Sequence, residues 1–318
     1  MQVALLNNLR AGRSGAQVGR ILSFLSEHPE VIHVETESAG ALPEALASIA
    51  HRDVDLLLVN GGDGTLQHVL TEILNGDSFE RIPMIAPVRG GRTNMSALDL
   101  GASRDPVRGI AAVLEAARRG MLHERFVDRP VLRAEFDRGR QVQFGTFFGA
   151  GMIHRAIRLT HRIFPTGRSQ GVFGAGIVTG WLLLRTAFQD DEGVIRPDKA
   201  QIFVDGELVP GGEFRLVIAS SLERLFLRMN PFWGPGDGGV RFTAMSSRPV
   251  GLVSAGPGIL RGSPPAHVLP ENGYTSAKAH CVEMRIDCGF TIDGEVYSEQ
   301  PDEVVRLTAD RRVQFVRA

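Results

Sequence analysis

A glycine-rich turn after a strongly apolar run is the clearest chemical feature of the sequence. Residues 56–60, Leu-Leu-Leu-Val-Asn, run directly into Gly61-Gly62-Asp63-Gly64-Thr65. Glycines let backbone N–H groups approach a polyphosphate, and a helix that begins at Thr65 would point its positive end the same way. Asp63 would repel that phosphate unless a cation such as Mg²⁺ lay between them. The turn predicts a phosphate site with a metal ion, and an ordinary Asp-Gly turn is the alternative.

Other chemistries find no support in the residues. Lys199 and Lys278 are the only lysines, so a phosphate clamp must use arginine or backbone N–H groups and a P-loop lysine is excluded from the N-terminal half. No Ser-His-Asp elbow, zinc-type Cys/His spacing or GxGxxG fingerprint occurs. The 35 basic and 36 acidic side chains nearly cancel. Net charge therefore gives no reason to expect a nucleic-acid partner.

The elements that must position the turn alternate between short apolar strands and amphipathic helices. The pattern predicts strands at 3–6, 31–36, 55–60 and 82–86, and helices at 18–25, 43–50, 65–75 and 106–118. Asp105 is a good N-cap before Pro106, and Gly120 suits the end of the last helix. The first half is thus predicted to be a Rossmann-like α/β domain around a parallel sheet, over residues 1–123.

The second half changes to alternating runs joined by tight turns. Asp205-Gly206 and Asp293-Gly294 are hairpin signals. This pattern predicts an antiparallel β-sandwich over residues 124–318, which would bind the substrate, with a last strand at about 303–318 that packs back on the first domain. The 318 residues also favour two domains.

A basic, partly apolar segment interrupts the second half. Gly151–Phe164 is predicted to be a helix with Arg155, Arg158 and Arg162 on one face, and residues 138–189 contain seven arginines and no acid. The apolar run 171–184 is too short to span a bilayer. We expect peripheral contact with an anionic membrane surface, and a solvated helix face is the alternative.

Location and assembly are predicted from weaker signals. Cys281 and Cys288 lack disulfide or metal-ligand spacing, and the N-terminus resembles a strand more than a signal peptide. These features predict a cytoplasmic protein that associates peripherally with membranes. The sequence leaves open whether the protein forms a homodimer.

The motifs together resemble a known family. Gly61–Thr65 matches the GGDGT signature of the diacylglycerol kinase catalytic family, which also includes sphingosine and ceramide kinases; Asn7–Gly15, Thr36 and Pro87–Met95 match its flanking loops. The resemblance implies ATP as the phosphate donor, with residues 61–67 on its phosphates. The implied nucleotide-binding residues are Asn8, Thr36, Gly61, Gly62, Asp63, Gly64, Thr65, Gln67, Thr93 and Asn94.

The resemblance also implies a magnesium network, which this sequence matches only in part. Asp63 would recruit Mg²⁺ and so take part in catalysis, but Met95 stands where the family has an Asp. Asp128 resembles a third acidic position, although a surface Asp between domains fits equally. Asp237, in the glycine-rich run 234–240, resembles a structural cation site, and a plain glycine turn is the alternative.

The reaction implied by the family is transfer of the ATP γ-phosphate to a lipid hydroxyl. Diacylglycerol would give phosphatidic acid, a step in phospholipid biosynthesis. Glu295, in Asp293-Gly294-Glu295, resembles the family's catalytic base. A second Asp-Gly-Glu at 205–207 shows that the tripeptide alone is not specific.

Two other functions compete with this hypothesis. NAD kinases share the GGDGT turn, but their downstream Asn-Glu pair has no counterpart, since Glu271-Asn272 is reversed and too late. A non-catalytic lipid- or nucleotide-binding regulatory protein would explain why Met95 replaces the expected Asp.

Overall fold

The structure is a computed structural model that describes residues 1–10, 15–163, 193–298 and 302–318. These residues form two units. Met1–Arg129 and Arg312–Ala318 make up the first unit, and Pro130–Arg311 make up the second. The structure therefore assigns residues 124–129 to the first unit, whereas the sequence pattern suggested a division after residue 123. Within the stretch 303–318, only the last seven residues lie in the first unit.

The first unit is built on a sheet whose described strands run in the order β2-β1-β3-β4-β18-β5. The strands are β1 (Val3–Asn8), β2 (Ile32–Thr36), β3 (Leu56–Gly61), β4 (Met84–Arg89), β5 (Phe126–Pro130) and β18 (Arg312–Val316). The helices are α1 (Gly15–Ser26), α2 (Leu42–Ala50), α3 (Asp63–Asn75), α4 (Met95–Asp99) and α5 (Pro106–Arg118). The pairs β1–β2, β1–β3, β3–β4 and β4–β18 are parallel. The predicted parallel α/β domain is confirmed.

The central strands are apolar because both faces of the sheet are covered. Leu56 and Leu58 pack in one core with residues of α1 and α5. Leu57 and Val59 point to the opposite face and are equally buried, at 0% and 2% exposure. Such two-sided burial explains a run with no polar alternation. Parallel pairing also brings the carboxyl ends of β1, β2, β3 and β4 to one edge, where ligands of open α/β sheets bind.

Strand β4 continues beyond the predicted segment 82–86 and contains Pro87. Proline lacks the N–H that a central strand donates to its neighbour, which is why the sequence suggested an earlier end. In the structure, β18 pairs with β4 at Phe315 and Ile85, and β3 pairs with β4 as far as Arg89. The missing N–H therefore falls beyond the residue where β18 is paired.

The second unit is an antiparallel sheet whose twelve strands lie among the described residues. They are β6 (Leu132–Phe136), β7 (Gln141–Gly145), β8 (Phe147–Gly151), β9 (Asp198–Val204), β10 (Glu207–Leu208), β11 (Glu213–Ser220), β12 (Val240–Ser246), β13 (Tyr274–Ala279), β14 (Cys281–Ile286), β15 (Phe290–Ile292), β16 (Glu295–Tyr297) and β17 (Glu303–Thr308). Its helices are α6 (Met152–Ile163) and α7 (Leu252–Arg261). The predicted all-β domain is confirmed.

The sheet curls so that strands far apart in its order share one core. Phe136 on β6 lies edge-on to Phe290 on β15, with ring centroids 5.1 Å apart, and Tyr297 on β16 stacks on Phe290 at 5.0 Å. Strands such as β14 alternate buried and exposed residues, as half-buried strands do. Both Asp-Gly hairpins form as expected, with Asp205 and Asp293 at φ near +50°.

The basic helix α6 forms, but one of its arginines is not on the surface. Arg155 donates to both carboxylate oxygens of Asp198, at 2.8 and 2.6 Å, and its side chain is only 11% exposed. This buried pair removes Arg155 from the predicted membrane-facing set. Phe164, Arg168, Arg185 and the apolar run 171–184 lie outside the described residues. Within the described part of the chain, no helix is long and apolar enough to cross a membrane.

Candidate active site

The glycine-rich turn places the start of α3 at the carboxyl edge of the parallel sheet. The helix begins at Asp63, two residues earlier than predicted, with Gly62 as N-cap. Gly62 has no side chain, so the N-cap residue makes no side-chain hydrogen bond to the first N–H groups. Four N–H groups at a helix start have no partner within the helix. The N-terminus of α3 therefore has the backbone donors and dipole that bind an anion.

A second glycine pair packs directly against this turn. A Cβ on Gly91 would lie 2.3 Å from the Cα of Gly62, and one on Gly90 would lie 2.7 Å from the backbone nitrogen of Gly61. The N–H of Gly90 also donates to the carbonyl of Gly61 at 3.1 Å. The β3–α3 and β4–α4 loops thus touch backbone to backbone. This contact, which the sequence analysis did not foresee, explains why both loops need glycine.

Asp63 joins the two loops. Its Oδ2 accepts from the N–H of Met95 at 3.0 Å, and its Oδ1 accepts from the N–H of Ser96 at 2.8 Å. The carboxylate therefore caps the N-terminus of α4, a favourable place for negative charge. Repulsion of a neighbouring phosphate is reduced by these donors without a metal ion. Asp63 therefore does not need Mg²⁺ to lie beside a phosphate. Its predicted role as a metal ligand rests on the family resemblance.

The β4–α4 loop is locked by Asn94. This residue adopts a left-handed backbone at φ 50°, is buried, and exchanges two hydrogen bonds of 2.7 Å with the backbone of Gly91. Asn tolerates this conformation better than most residues. The Asn94 side chain thus accepts through its amide oxygen and donates through its amide nitrogen within the loop. Thr93 beside it is half-buried. Contact of either residue with nucleotide stays a prediction.

Polar residues at the ends of β1 and β2 support the same edge of the sheet. Asn8 Nδ2 donates to Thr65 Oγ1 at 2.8 Å and so connects the end of β1 to α3. Thr36, at the end of β2, is buried and donates to the carbonyl of Ser38. The structure thus brings Asn8, Thr36 and Thr65 to the carboxyl edge, beside the glycine-rich turn.

Gln67 lies in a different environment from the other predicted nucleotide-binding residues. Its side chain is 0% exposed and donates to Thr71 Oγ1, one turn further along α3, at 3.1 Å. A fully buried amide within the helix core favours a structural role. Its assignment to nucleotide binding stays a prediction.

In the second unit, Glu295 lies on an anchored hairpin. The preceding Asp293 is 7% exposed and its carboxylate accepts three hydrogen bonds: from Thr146 N at 2.7 Å, Thr146 Oγ1 at 2.7 Å and Phe147 N at 3.0 Å. Glu295 itself is exposed and pairs with Ile292 across the turn. Three donors to one buried carboxylate hold the turn rigidly. The Asp-Gly-Glu motif predicted Glu295, but no feature of the sequence indicated that Asp293 anchors the hairpin.

Helix α6 packs against this hairpin. It contacts β8, β15 and β16, and its His154 is fully buried. A Cβ on Gly289, just before β15, would lie 2.4 Å from His154 Cε1 and 2.6 Å from the carbonyl of Tyr297. Glycine is therefore required where helix and hairpin meet. The basic helix and Glu295 belong to one packed structure.

Comparison with known proteins finds a family that the first unit resembles. Residues 2–123 match the family model described as diacylglycerol kinase catalytic domain. This segment is therefore similar to that family. No curated protein sequence matches the chain. The matched segment contains every predicted nucleotide-binding residue, including the α3 N-terminus and the two glycine loops.

Solved structures extend the likeness to the fold of both units. A diacylglycerol kinase from Bacillus anthracis str. Sterne superposes with a TM-score of 0.60 at 18% identity, covering 100% of this chain and 97% of that one. An NAD kinase from Archaeoglobus fulgidus in complex with ATP gives a TM-score of 0.51 at 14% identity, with coverage of 100% and 94%. Yeast NADH kinase complexed with NADH gives 0.53 at 11% identity, with coverage of 100% and 84%. At these identities the likeness concerns the fold.

Asp63 and Asp128, two of the predicted metal ligands, do not come together in the first unit. Asp128 lies on β5 and is paired with Arg312, whose Nε donates to its carboxylate at 2.6 Å. Strand β5 is three places from β3 in the sheet order, about 14 Å at normal strand spacing. No cluster of three or more His, Cys, Asp or Glu suited to a metal occurs among the described residues. The described part of the first unit thus places Asp63 near the α3 N-terminus without a cluster of further carboxylates that would bind Mg²⁺.

Asp237 also has a different environment from the one expected. Its side chain is 93% exposed and lies 3.2 Å from His280 Nε2. The neighbouring glycines are needed for packing, because a Cβ on Gly234 would lie 1.8 Å from the carbonyl oxygen of Ser276 and one on Gly238 would lie 2.0 Å from that of Ala279. These contacts favour a plain glycine turn, which packs closely against the neighbouring strand, over a structural cation site.

Proposed function

We propose that this protein is a lipid kinase that transfers the γ-phosphate of ATP to a lipid hydroxyl, with diacylglycerol as the substrate and phosphatidic acid as the product. One observation carries the proposal: in a segment that matches the diacylglycerol kinase catalytic domain model, the glycine-rich turn leads into an α3 N-terminus whose N-cap residue is a glycine. Backbone N–H groups and the helix dipole would hold the ATP phosphates there.

ATP would arrive as its magnesium complex. The chain supplies one carboxylate, Asp63, near the α3 N-terminus, and Mg²⁺ in kinases is commonly held by one or two carboxylates together with substrate phosphates. The residues therefore fit a metal carried by the nucleotide better than a resident ion. Bound Mg²⁺ would neutralise charge on the phosphates. The chain's own part is to hold Asp63 in place through the N–H groups of Met95 and Ser96.

Glu295 would act as the general base. Its carboxylate would take the proton from the lipid hydroxyl while that oxygen forms a bond to the γ-phosphorus, and the bond from phosphorus to the bridging oxygen of ADP would break. This role requires a fixed hairpin, and the hydrogen bonds from Thr146 and Phe147 to Asp293 support it. Glu207, in the other Asp-Gly-Glu, is exposed and provides a natural comparison.

NAD kinase activity is the competing function that the fold leaves open. The fold is shared with NAD kinases, so discrimination must come from the acceptor. The reversed pair Glu271-Asn272 lies in the second unit in a short 3₁₀ turn over Pro270–Asn272. It offers no counterpart to the Asn-Glu pair of those enzymes. We therefore favour a lipid acceptor.

The test is an acceptor panel with γ-labelled ATP and Mg²⁺. Purified protein would be incubated with diacylglycerol micelles, with micelles of a total lipid extract and with NAD, and products would be separated by chromatography. We expect label in phosphatidic acid, lost in Asp63→Ala and Glu295→Gln and retained in Glu207→Gln. A total-extract product other than phosphatidic acid would identify a different lipid acceptor.

Two results would contradict the proposal. Label in NADP and in no lipid would assign the chain to the NAD kinases. Absence of both label and saturable ATP binding, measured by calorimetry, would support the non-catalytic regulatory protein that Met95 suggested.

A further inference from the structure

A large open groove lies in the second unit, between the loop 224–230 and helix α7. Its volume is about 690 Å³, within the usual range for sites that bind small amphiphiles. The loop is fixed to the helix because the N–H of Asn230 donates to the carbonyl of Leu260 at 2.9 Å, and the loop is closed by a bond from Leu225 N–H to the carbonyl of Met229 at 2.8 Å. We call this feature the α7 groove.

Apolar side chains at the α7 groove are exposed to an unusual degree. Leu227 on the loop is 65% exposed and Val253 on the helix is 71% exposed, the two largest exposed fractions among the described large hydrophobic residues. Leu227 and Arg228 both have left-handed backbones, with φ of 54° and 61°. Such conformations are costly for residues other than glycine and are frequent at ligand-binding segments. Leu227 is thus held outwards by a strained loop.

The same groove is strongly cationic. Arg224, Arg228 and Arg261 line it and are exposed, and no acidic residue is among the described lining residues. Over residues 223–271 the sequence contains five arginines and three acids, Glu223, Asp237 and Glu271. Asp237 lies 3.2 Å from His280 Nε2. An anionic surface would therefore be attracted to this face.

We propose that the α7 groove docks the protein on a bilayer that contains anionic phospholipids. Exposed apolar tips flanked by arginines match the chemistry of a lipid interface: Leu227 and Val253 enter the acyl boundary, while the guanidinium groups stay at the phosphate level on their apolar stems. The charge favours this occupant over an apolar protein partner. This surface lies outside the segment 138–189 and does not depend on the proposed kinase activity.

The test is co-sedimentation with vesicles of phosphatidylcholine alone and with 30% phosphatidylglycerol. The groove variant combines Arg224→Gln, Arg228→Gln and Arg261→Gln. The matched control combines Arg52→Gln, Arg104→Gln and Arg285→Gln, three exposed arginines outside the groove with the same loss of charge. A third variant, Val253→Asp, tests the apolar part. Circular dichroism and thermal unfolding show whether each variant is folded.

We expect wild-type protein to bind the anionic vesicles and not the neutral ones. The groove variant should need about 100-fold more lipid for half-maximal binding, since each arginine near an anionic surface contributes about fivefold. Val253→Asp should need about 10-fold more, and the control should bind nearly as well as wild type.

Three outcomes would overturn the proposal. Equal loss in the groove and control variants would mean that only total charge matters. Tight binding of soluble, short-chain phosphatidylglycerol without vesicle binding would mean a site for single lipids. A wild-type dimer that dissociates in the Val253→Asp variant, seen by sedimentation velocity in the absence of lipid, would mean that a second copy covers the groove.

Discussion

The backbone N–H of Met95 donates to the carboxylate of Asp63 at 3.0 Å. This bond connects α3 to α4, and the N–H of Ser96 adds a second bond at 2.8 Å. Met95 occupies the position at which the family resemblance implies an Asp, yet its backbone still serves the signature carboxylate. The connection therefore depends on backbone geometry and survives the replacement of the side chain.

Replacement of Asp63 should reduce stability as well as activity. Asp63→Ala leaves the N–H groups of Met95 and Ser96 without their acceptor, which should lower the free energy of unfolding by about 1–3 kcal/mol. Asp63→Asn retains one acceptor oxygen and should lose about half as much. Urea unfolding measures both. Unchanged stability in Asp63→Ala would mean that these hydrogen bonds do not form in solution.

The backbone contact between the two glycine loops predicts a strong effect of one methyl group. Gly91→Ala places a Cβ 2.3 Å from the Cα of Gly62, so the loops must separate, at a cost of about 1–3 kcal/mol. ATP binding should weaken because the α3 turn moves. Calorimetry of ATP binding and thermal unfolding provide the measurement.

A glycine elsewhere in the same domain provides the control. Gly19 lies in α1 with nothing within 4 Å of its Cβ position, and alanine is favoured over glycine within a helix by about 1 kcal/mol. Gly19→Ala should therefore leave ATP binding unchanged and raise stability slightly. Similar behaviour of the two variants would argue against a specific contact between the loops.

Variants in the two Asp-Gly-Glu hairpins can show whether Asp293 positions Glu295 or only stabilises the fold. Asp293 accepts from Thr146 and Phe147, whereas Asp205 Oδ1 accepts from the N–H groups of His280 at 2.9 Å and Cys281 at 2.8 Å. Either change to Ala should destabilise the fold by about 1–3 kcal/mol. We expect Asp293→Ala alone to lower kcat, since Glu295 follows it, while KM for ATP stays near the wild-type value.

Equal effects of the two substitutions would contradict this prediction. If Asp293→Ala and Asp205→Ala reduce kcat by the same factor at a temperature where both are folded, the anchor of the second hairpin has no special role. Steady-state kinetics with the labelled-ATP assay, together with thermal unfolding, distinguish the two cases.

The N-cap of α5 predicts a pH-dependent contribution to stability. Asp105 accepts from the N–H of Val107 at 3.0 Å, and the hydrogen bond from Arg20 lowers the pKa of Asp105 below its ordinary 3.8. A carboxyl whose pKa is lower in the folded state stabilises the protein above its unfolded-state pKa and loses this effect as the pH falls through the folded-state value. Asp105→Ala should cost about 1 kcal/mol at pH 7.

The difference between wild type and Asp105→Ala should therefore shrink as the pH falls below about 4. Urea unfolding at pH 7, 5 and 3 measures it. A difference that stays constant over this range would show that the ionised carboxylate is not the group that caps the helix.

The sequence predicted the parallel first domain because each of its signals is local. Apolar runs such as Leu56–Val59 mark buried strands, and Asp105 and Gly120 mark the ends of α5. The predicted end of β4 was wrong. Whether a strand can include Pro87 depends on where the neighbouring strand β18 is paired, which is at Ile85. Strand pairing between residues over two hundred positions apart leaves no local pattern.

The parts of the candidate site that could be predicted are those that belong to a sequence motif. The GGDGT turn indicated phosphate, and the structure brings Asn8, Thr36 and Thr65 to the same sheet edge. The capping of α4 by Asp63 and the anchoring of the hairpin by Asp293 could not be predicted. Each depends on backbone N–H groups that every sequence carries, so residue types alone do not reveal them.

The most direct test of the central claim is the turnover number for diacylglycerol in Glu295→Gln compared with Glu207→Gln. Both changes remove one exposed carboxylate from an Asp-Gly-Glu hairpin, but we place only Glu295 at the reacting hydroxyl. A general base contributes about 10²–10⁴ in rate, so Glu295→Gln should lower kcat at least about 100-fold while Glu207→Gln stays near wild type. Equal activity in the two variants, or an absence of transfer to any lipid by wild type, would contradict the account.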